Sequence, residues 1–321
     1  MKIKRAMERI PGGMMVIPLL LGAFINTFFP DLLRIGNFTQ QLFVDGSGTL
    51  IALFLLCTGA QINLRSFGVS LAKGATLLTV KWVVGAAFGL IAYLMAGPDG
   101  LWLGLAPLAI VAAMTNSNGG LYVALVSQYG KEDDRAAYSL LALNDGPFLT
   151  MVALALFGAM GFVEGMFSIK DFISVLLPIL VGMVLGNLDE EMRSFLAKGS
   201  DMLIPFFAFA LGMGIDFAKI VEGGLGGILL GIMTVFFTGT AGYLVFKWFG
   251  WNPIVGAAEG STAGNAVATP SAIAAANASF ASIAPLATVQ VAASTVTTAF
   301  LLPLYIAFLV KRLERKAAKK K

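Results

Sequence analysis

The sequence predicts an all-α polytopic membrane protein of ten transmembrane helices, arranged as two inverted five-helix repeats whose fourth and ninth helices are broken. Three observations carry this expectation. Of 321 residues, 58% are hydrophobic and only 12% charged, with a mean hydropathy of +0.84; in soluble domains about a quarter of residues are charged. Two motif pairs recur in the same order in the two halves of the chain. Two apolar runs are interrupted by polar, Gly- or Pro-containing stretches at matching places.

The elements follow in order. A helix rising about 1.5 Å per residue needs about 20 apolar residues to cross a bilayer. That places spans near 13–29, 48–64, 74–96, 101–128, 137–160, 172–187, 202–217, 224–247, 252–277 and 281–310. The amino terminus, "MKIKRAMERIPGGMM", is basic like a signal-peptide n-region, but no A-x-A-like site closes the run after it, so it reads as a retained cytoplasmic tail and first span. The fourth, ninth and tenth segments are longer than one straight span needs, which predicts tilt or a break. "KEDDR" (Lys131–Arg135) reads as a cytoplasmic turn and "EGGLGG" (Glu222–Gly227) as an outer loop. With the amino terminus inside, eighteen of the 22 Lys and Arg fall on the cytoplasmic side and only Arg34, Lys170 and Lys219 outside. Both termini are therefore expected in the cytoplasm, and the basic pI of about 9.1 is a topology signal with no need of a nucleic-acid partner.

Internal similarity comes next. "IPLLLGAFIN" (Ile17–Asn26) matches "LPILVGMVLGN" (Leu177–Asn187) at Pro18/Pro178 and Gly22/Gly182. "LCTGAQINLRSF" (Leu56–Phe67) matches "FALGMGIDFAKI" (Phe209–Ile220) at Gly59/Gly212 and Ile62/Ile215. Two halves follow, roughly 1–163 and 164–321. Five spans each is an odd number, so the second half enters from the opposite face, an arrangement common in secondary transporters.

The fourth span of each half is then the place to look. "MTNSNGGLY" (Met114–Tyr122) corresponds to Glu259–Pro270 in "AEGSTAGNAVATP", with Thr115 on Thr262 and Asn118 on Asn265. Broken backbone of this kind cannot face lipid; it is tolerated where protein buries it or where it lines a wet cavity. Half-helix amino termini there offer free N–H groups and positive dipole ends to an anion. The candidate substrate shell is Asn116, Ser117, Asn118, Gly119, Gly120, Ser261, Thr262, Asn265 and Thr269. The Ala-rich stretch Ala272–Ala278 reads as close helix packing.

Four ionisable groups fall within spans. Glu259 and Asp145, the latter in "LNDGPF", are candidate proton carriers, because a buried carboxylate favours protonation; the alternative is a structural hydrogen-bond partner. Lys81 either snorkels to the cytoplasmic interface or pairs with a substrate anion or carboxylate. Asp216, at a span end, reads as interfacial.

The chain has no histidine and one cysteine, Cys57. A disulfide within the chain, a Cys/His zinc site, a histidine proton relay and a rhomboid-type serine protease are excluded, and Cys57 reads as a small buried side chain. An aspartyl intramembrane protease would need a second placed acid, and "GMGID" (Gly212–Asp216) sits at a span end. A channel or membrane sensor stays open, since polar breaks also line pores.

The motifs "ERIPGGMM" (Glu8–Met15), "NGGLY" (Asn118–Tyr122), "GNLDEEMRSF" (Gly186–Phe195), "LIPFFAFALG" (Leu203–Gly212), "GGILLGI" (Gly226–Ile232) and "AGNAVATP" (Ala263–Pro270) together resemble the 2-keto-3-deoxygluconate permease family over nearly the whole chain. The resemblance implies a bile-acid/sodium-symporter-like fold with crossed broken helices, in a bacterial inner membrane. It also implies proton-coupled uptake of a keto-deoxy sugar-acid anion, with no cofactor and no metal. Sodium coupling, through backbone carbonyls and hydroxyls at the breaks, is the alternative. The chain departs from the family pattern at Thr115–Ser117, where an acid precedes the amide-Gly-Gly-Leu-Tyr run. It departs also at Glu259, where Ser or Ala stands, and at Asn144–Asp145, where Glu-Ser stands.

Overall fold

The computed structural model describes residues 2–9, 13–62, 71–131, 134–135, 137–141, 146–161 and 169–318. Those residues form helices joined by turns and short unwound stretches, with one isolated bridge between Trp102 and Leu105. The helices are α1 (Ile3–Glu8), α2 (Gly13–Phe28), α3 (Asn37–Phe43), α4 (Ser47–Gln61), α5 (Leu71–Ala96), α6 (Pro107–Thr115), α7 (Gly119–Tyr129), α8 (Tyr138–Leu141) and α9 (Phe148–Ala159). They continue as α10 (Ile169–Leu188), α11 (Glu190–Gly212), α12 (Phe217–Met233), α13 (Gly239–Trp248), α14 (Pro253–Ala257), α15 (Thr269–Ala276) and α16 (Ala284–Ala318). A π-turn over Thr234–Thr238 joins α12 to α13, and a 3-10 turn over Asn265–Ala268 leads into α15.

Four of the described helices, within 72–96, 190–212, 223–248 and 284–315, are long and apolar enough to cross a membrane. Two bent pairs reach that length together, α3 with α4 at 60° and α6 with α7 at 42°. Shorter apolar helices cover 13–28, 148–159 and 176–188. Large apolar side chains such as Leu94, Leu177, Leu225 and Leu304 lie on the outside, as a lipid-facing surface requires, while small and polar residues collect inside.

Two expectations need correction. "EGGLGG" is no loop: Glu222–Gly227 lies within α12. A side chain at Gly223, Gly227 or Gly231 would collide with Val289, Gln290 and Ala293, or Thr297 of α16. Close helix–helix approach therefore outweighs the weak helix propensity of glycine. The span near 202–217 starts twelve residues earlier, at Glu190. There Asp189 caps α11 by accepting from the Glu191 N–H at 2.8 Å, and Glu190 and Glu191 meet the positive end of the helix. That polar first half hides a helix from a hydropathy window. Of the tilt or break expected of the tenth segment, the break is not there: α16 is one continuous helix of 35 residues through Pro303.

The paired motifs pack on one another reciprocally. A side chain on Gly22 of α2 would strike Phe209 and Gly212 of α11, and one on Gly212 would strike Leu19 and Gly22. Likewise Gly59 of α4 abuts Ile179 of α10, and Gly182 abuts Leu56 and Ala60. The capping amides follow the same pattern. Asn26 Nδ2 donates to the Ile215 carbonyl at 3.3 Å and Asn187 Nδ2 to the Ile62 carbonyl at 2.7 Å. Ile62 and Ile215 are the residues matched in sequence, so each half supplies one motif to each contact.

Candidate functional site

The first break covers Asn116–Asn118, between α6 and α7. Its side chains replace the hydrogen bonds that the helix loses. Thr115 Oγ1 donates to the Val111 carbonyl at 2.7 Å, and Asn116 Nδ2 donates to the Ala112 carbonyl at 2.8 Å and to Thr150 Oγ1 at 3.2 Å. Asn116 Oδ1 accepts from the Gly146 N–H at 3.1 Å, where φ of +122° favours glycine. Thr150 Oγ1 also lies 2.9 Å from Thr115 Oγ1. The Asn116 amide is thus committed to protein partners. Beyond it Asn118 caps α7, its Oδ1 accepting from the Leu121 N–H at 3.0 Å.

The second break runs from Ala258 to Gly264 and is braced by α16. The Thr262 N–H donates to Thr298 Oγ1 at 3.1 Å, Thr262 Oγ1 lies 2.8 Å from Ser294 Oγ, and Thr295 Oγ1 donates to the Ala263 carbonyl at 2.9 Å. Further up α16, Gln290 holds the start of α6, accepting from the Ala106 N–H at 2.9 Å and donating to the Gly104 carbonyl at 2.8 Å. The two breaks touch: the Asn118 N–H donates to Ser261 Oγ at 3.0 Å.

Lys81 lies at the same place. It is 1% exposed, and its Nζ donates to the carbonyls of Glu259, at 2.8 Å, and Ser261. Its stem does not snorkel to the interface. The buried Glu259 carboxylate lies within electrostatic reach of the ammonium. One turn along α5, Gly85 packs so closely on Met114 and Thr115 that a Cβ would overlap them. A single helix therefore bears on both breaks.

Against the breaks lies a polar cavity of about 260 Å³. Asn118, Gly119 and Gly120, at the start of α7, face it together with Ala263, Gly264 and Asn265, at the start of the 3-10 turn. Thr58, Gln61, Ser200 and Asp201 complete its polar wall, with Gln61 Nε2 donating to Ser200 Oγ at 3.0 Å. A Cβ on Gly264 would meet nothing within 4 Å, and one on Gly120 only the Asn118 amide oxygen at 3.5 Å. Glycine here leaves open space, whereas at Gly22 and Gly212 it permits backbone contact.

The structure thus brings Asn118, Gly119, Gly120 and Asn265 to the cavity, and uses Asn116, Ser261 and Thr262 in the bracing behind it. Ser117 and Thr269 are buried; the Thr269 hydroxyl has no hydrogen-bond partner among the described residues. Asp145 lies outside the described residues. Reasoning from sequence missed Thr150, Gln290, Ser294, Thr295 and Thr298, and the wall residues Thr58, Gln61, Ser200 and Asp201. The run "STVTT" (Ser294–Thr298) was a usable signal, being polar in an otherwise apolar span.

Comparison with known proteins gives a consistent result. A family model described as 2-keto-3-deoxygluconate permease matches residues 4–315. The "2-keto-3-deoxygluconate permease 1" of Salmonella typhimurium is 50% identical over 321 residues, covering 100% of this chain and 99% of its own. The "2-keto-3-deoxygluconate permease" of Bacillus subtilis is 40% identical over 322 residues, covering 98% and 96%. Among solved structures, the sodium proton antiporter MjNhaP1 of Methanocaldococcus jannaschii superposes with a TM-score of 0.56 at 12% identity, over 92% of this chain and 90% of its own. That last likeness is one of fold.

Proposed function

Because the chain belongs to the 2-keto-3-deoxygluconate permease family, we propose that it imports 2-keto-3-deoxygluconate or a closely related sugar acid together with a proton. It is a multi-pass membrane permease, a transporter and no enzyme. The finer reading has ten spans in two inverted halves, roughly 1–163 and 164–321, with both termini in the cytoplasm of a bacterial cell and the inner membrane around it. The reciprocal Gly22–Gly212 and Gly59–Gly182 packing supports the inverted repeat, since a pseudo-two-fold relation predicts such an exchange of motifs. Alternating access then moves one group of helices against the other around the breaks.

One observation carries the substrate reading: two helix starts, at Asn118–Gly120 and Gly264–Asn265, converge on one small polar cavity. A monoanionic sugar acid has one carboxylate and several hydroxyls. Positive dipole ends and free N–H groups suit the first; amides and hydroxyls such as Asn118, Asn265, Gln61 and Thr58 suit the second. Large amphipaths would want a wide apolar space instead. Glu259 and Asp145 are the acids proposed to carry the proton.

Proteoliposomes acidified outside should accumulate 2-keto-3-deoxygluconate in the absence of Na+. Loss of one hydrogen bond in Asn265→Ala should weaken apparent affinity by about 5- to 150-fold, or about 1–3 kcal/mol. Asn118→Ala should do the same and also cost about 1 kcal/mol of stability, because it removes the cap of α7. Robust uptake of a different organic anion, with none of this compound, would remove the substrate assignment and leave the fold argument standing.

A further inference from the structure

We propose that the Lys81 ammonium is the resident cation of a monovalent-cation site at the second break, formed by the carbonyl oxygens of Glu259 and Ser261, with the Glu259 carboxylate nearby as counter-charge. The chain thereby supplies, from its own third span, the positive charge that a bound Na+ would otherwise bring. The inference rests on reading the paired breaks as the transport site.

The donor set is one a small hard cation takes. Helix α14 ends at Ala257, and a helix end carries partial negative charge; the Ile254 and Ala257 carbonyls are taken by the Ala258 and Gly260 N–H groups, and the Glu259 carbonyl accepts from the Ser261 N–H at 2.8 Å as well as from Lys81. The chain stays unwound past Gly260, so the carbonyls of two residues two apart, Glu259 and Ser261, turn to one point. Unwound carbonyls of this kind, at half-helix carboxyl ends, are ligands for Na+ in transporters. Both carbonyls are oxygen ligands, and the Glu259 carboxylate within electrostatic range adds a charge of −1, which suits a monovalent ion.

Lys81 fills that position as a covalently tethered ion. It reaches the break from a residue 178 positions away in the chain, so its placement is tertiary and does not arise from local geometry. An ammonium that is 1% exposed would carry a desolvation cost of several kcal/mol if nothing compensated it. The carbonyls and the nearby carboxylate supply the compensation. Among the described residues, the other titratable group near this site is Tyr122 of α7, within electrostatic range of Glu259; its hydroxyl donates to the Asp134 carbonyl at 2.8 Å. At the first break the carbonyls of Val111 and Ala112 accept from the neutral side chains of Thr115 and Asn116 instead of from an ammonium.

The test needs no substrate, so it can fail independently of the transport assignment. The purified protein is unfolded thermally in NaCl and in choline chloride at equal ionic strength, as wild type, Lys81→Gln, and Lys81→Gln with Glu259→Gln. Wild type should unfold at the same temperature in both salts at neutral pH. Lys81→Gln exchanges the tethered ammonium for an amide oxygen; its Tm should fall in choline and recover by several degrees, saturably, in Na+. The double variant should lose that Na+ response. Wild type supplies a second readout if Lys81→Gln does not fold: at about pH 10.5, above the ordinary lysine pKa of about 10.4, Na+ should begin to raise Tm. A folded Lys81→Gln indifferent to Na+ overturns the proposal. So does a wild type stabilised by Na+ at neutral pH, or one that is indifferent to it at both pH values.

Discussion

The two helix breaks are matched in sequence and unlike in chemistry. The first, Asn116–Asn118, is short and uncharged: its flanking Thr115 and Asn116 side chains donate to the carbonyls of Val111 and Ala112, with further partners in the Thr150 hydroxyl of α9, the Gly146 N–H and the Ser261 hydroxyl. The second, Ala258–Gly264, is longer, takes its hydroxyl partners from α16, and carries a carboxylate beside a buried ammonium. With Thr115 set on Thr262, the position matching Glu259 is Ala112, in the middle of α6. A repeat can therefore conserve the geometry of a break while only one copy holds charge. The neutral copy is suited to fixing position, and the charged copy to coupling.

The largest effect that would break this contrast is expected at Glu259. Glu259→Gln leaves the Lys81 ammonium buried without its counter-charge, which typically costs about 3–5 kcal/mol, and concentrative uptake should be lost. Adding Lys81→Met removes the orphaned charge, so the double variant should regain much of the Tm lost by the single one. Strict additivity of the two substitutions in a double-mutant cycle would show that the two groups do not act as a pair.

A smaller effect is expected at the neutral break. Asn116→Leu would leave the Ala112 carbonyl and the Gly146 N–H, both buried, without their partners, at about 1–3 kcal/mol each in the worst case. Tm should fall while the apparent affinity of the surviving carrier stays near wild type. Unchanged Tm with weakened affinity would place the Asn116 amide on the substrate and overturn its role as a brace.

Much of this was legible in the chain because polarity inside an apolar run has few explanations. "MTNSNGGLY" and "AEGSTAGNAVATP" announced the breaks, and the recurring Gly22, Gly59, Gly182 and Gly212 announced the internal repeat, though not their packing on one another. What stayed hidden depends on direction. Lys81 is equally able to reach water or a neighbour until the tertiary structure turns it toward Glu259. Glycines in "EGGLGG" signal a loop when read locally and a packing stripe only once α16 lies beside them. The polar half of α11 reads as surface because its helicity is set by Asp189 and the first-turn acids, which a hydropathy window counts against a span. Thr150 and Ser294–Thr298 brace breaks on other helices, a relation that no local pattern contains.

The smallest expected effect separates the cavity from the packing. Gly264 has no φ in the left-handed region, and a Cβ added there meets nothing within 4 Å; Gly264→Ala should therefore be neutral for stability, within about 0.5 kcal/mol. The new methyl would nevertheless project where the second helix start faces the cavity. Expected, then, is an unchanged Tm with a several-fold rise in KM for the sugar acid. Gly212→Ala should behave in the opposite way: its Cβ would overlap Leu19 and Gly22, costing about 1–3 kcal/mol through overpacking with little effect on the KM of the folded fraction. If Gly264→Ala leaves KM untouched, the substrate does not sit between the two helix starts, and the cavity beside them serves as a passage to a site elsewhere.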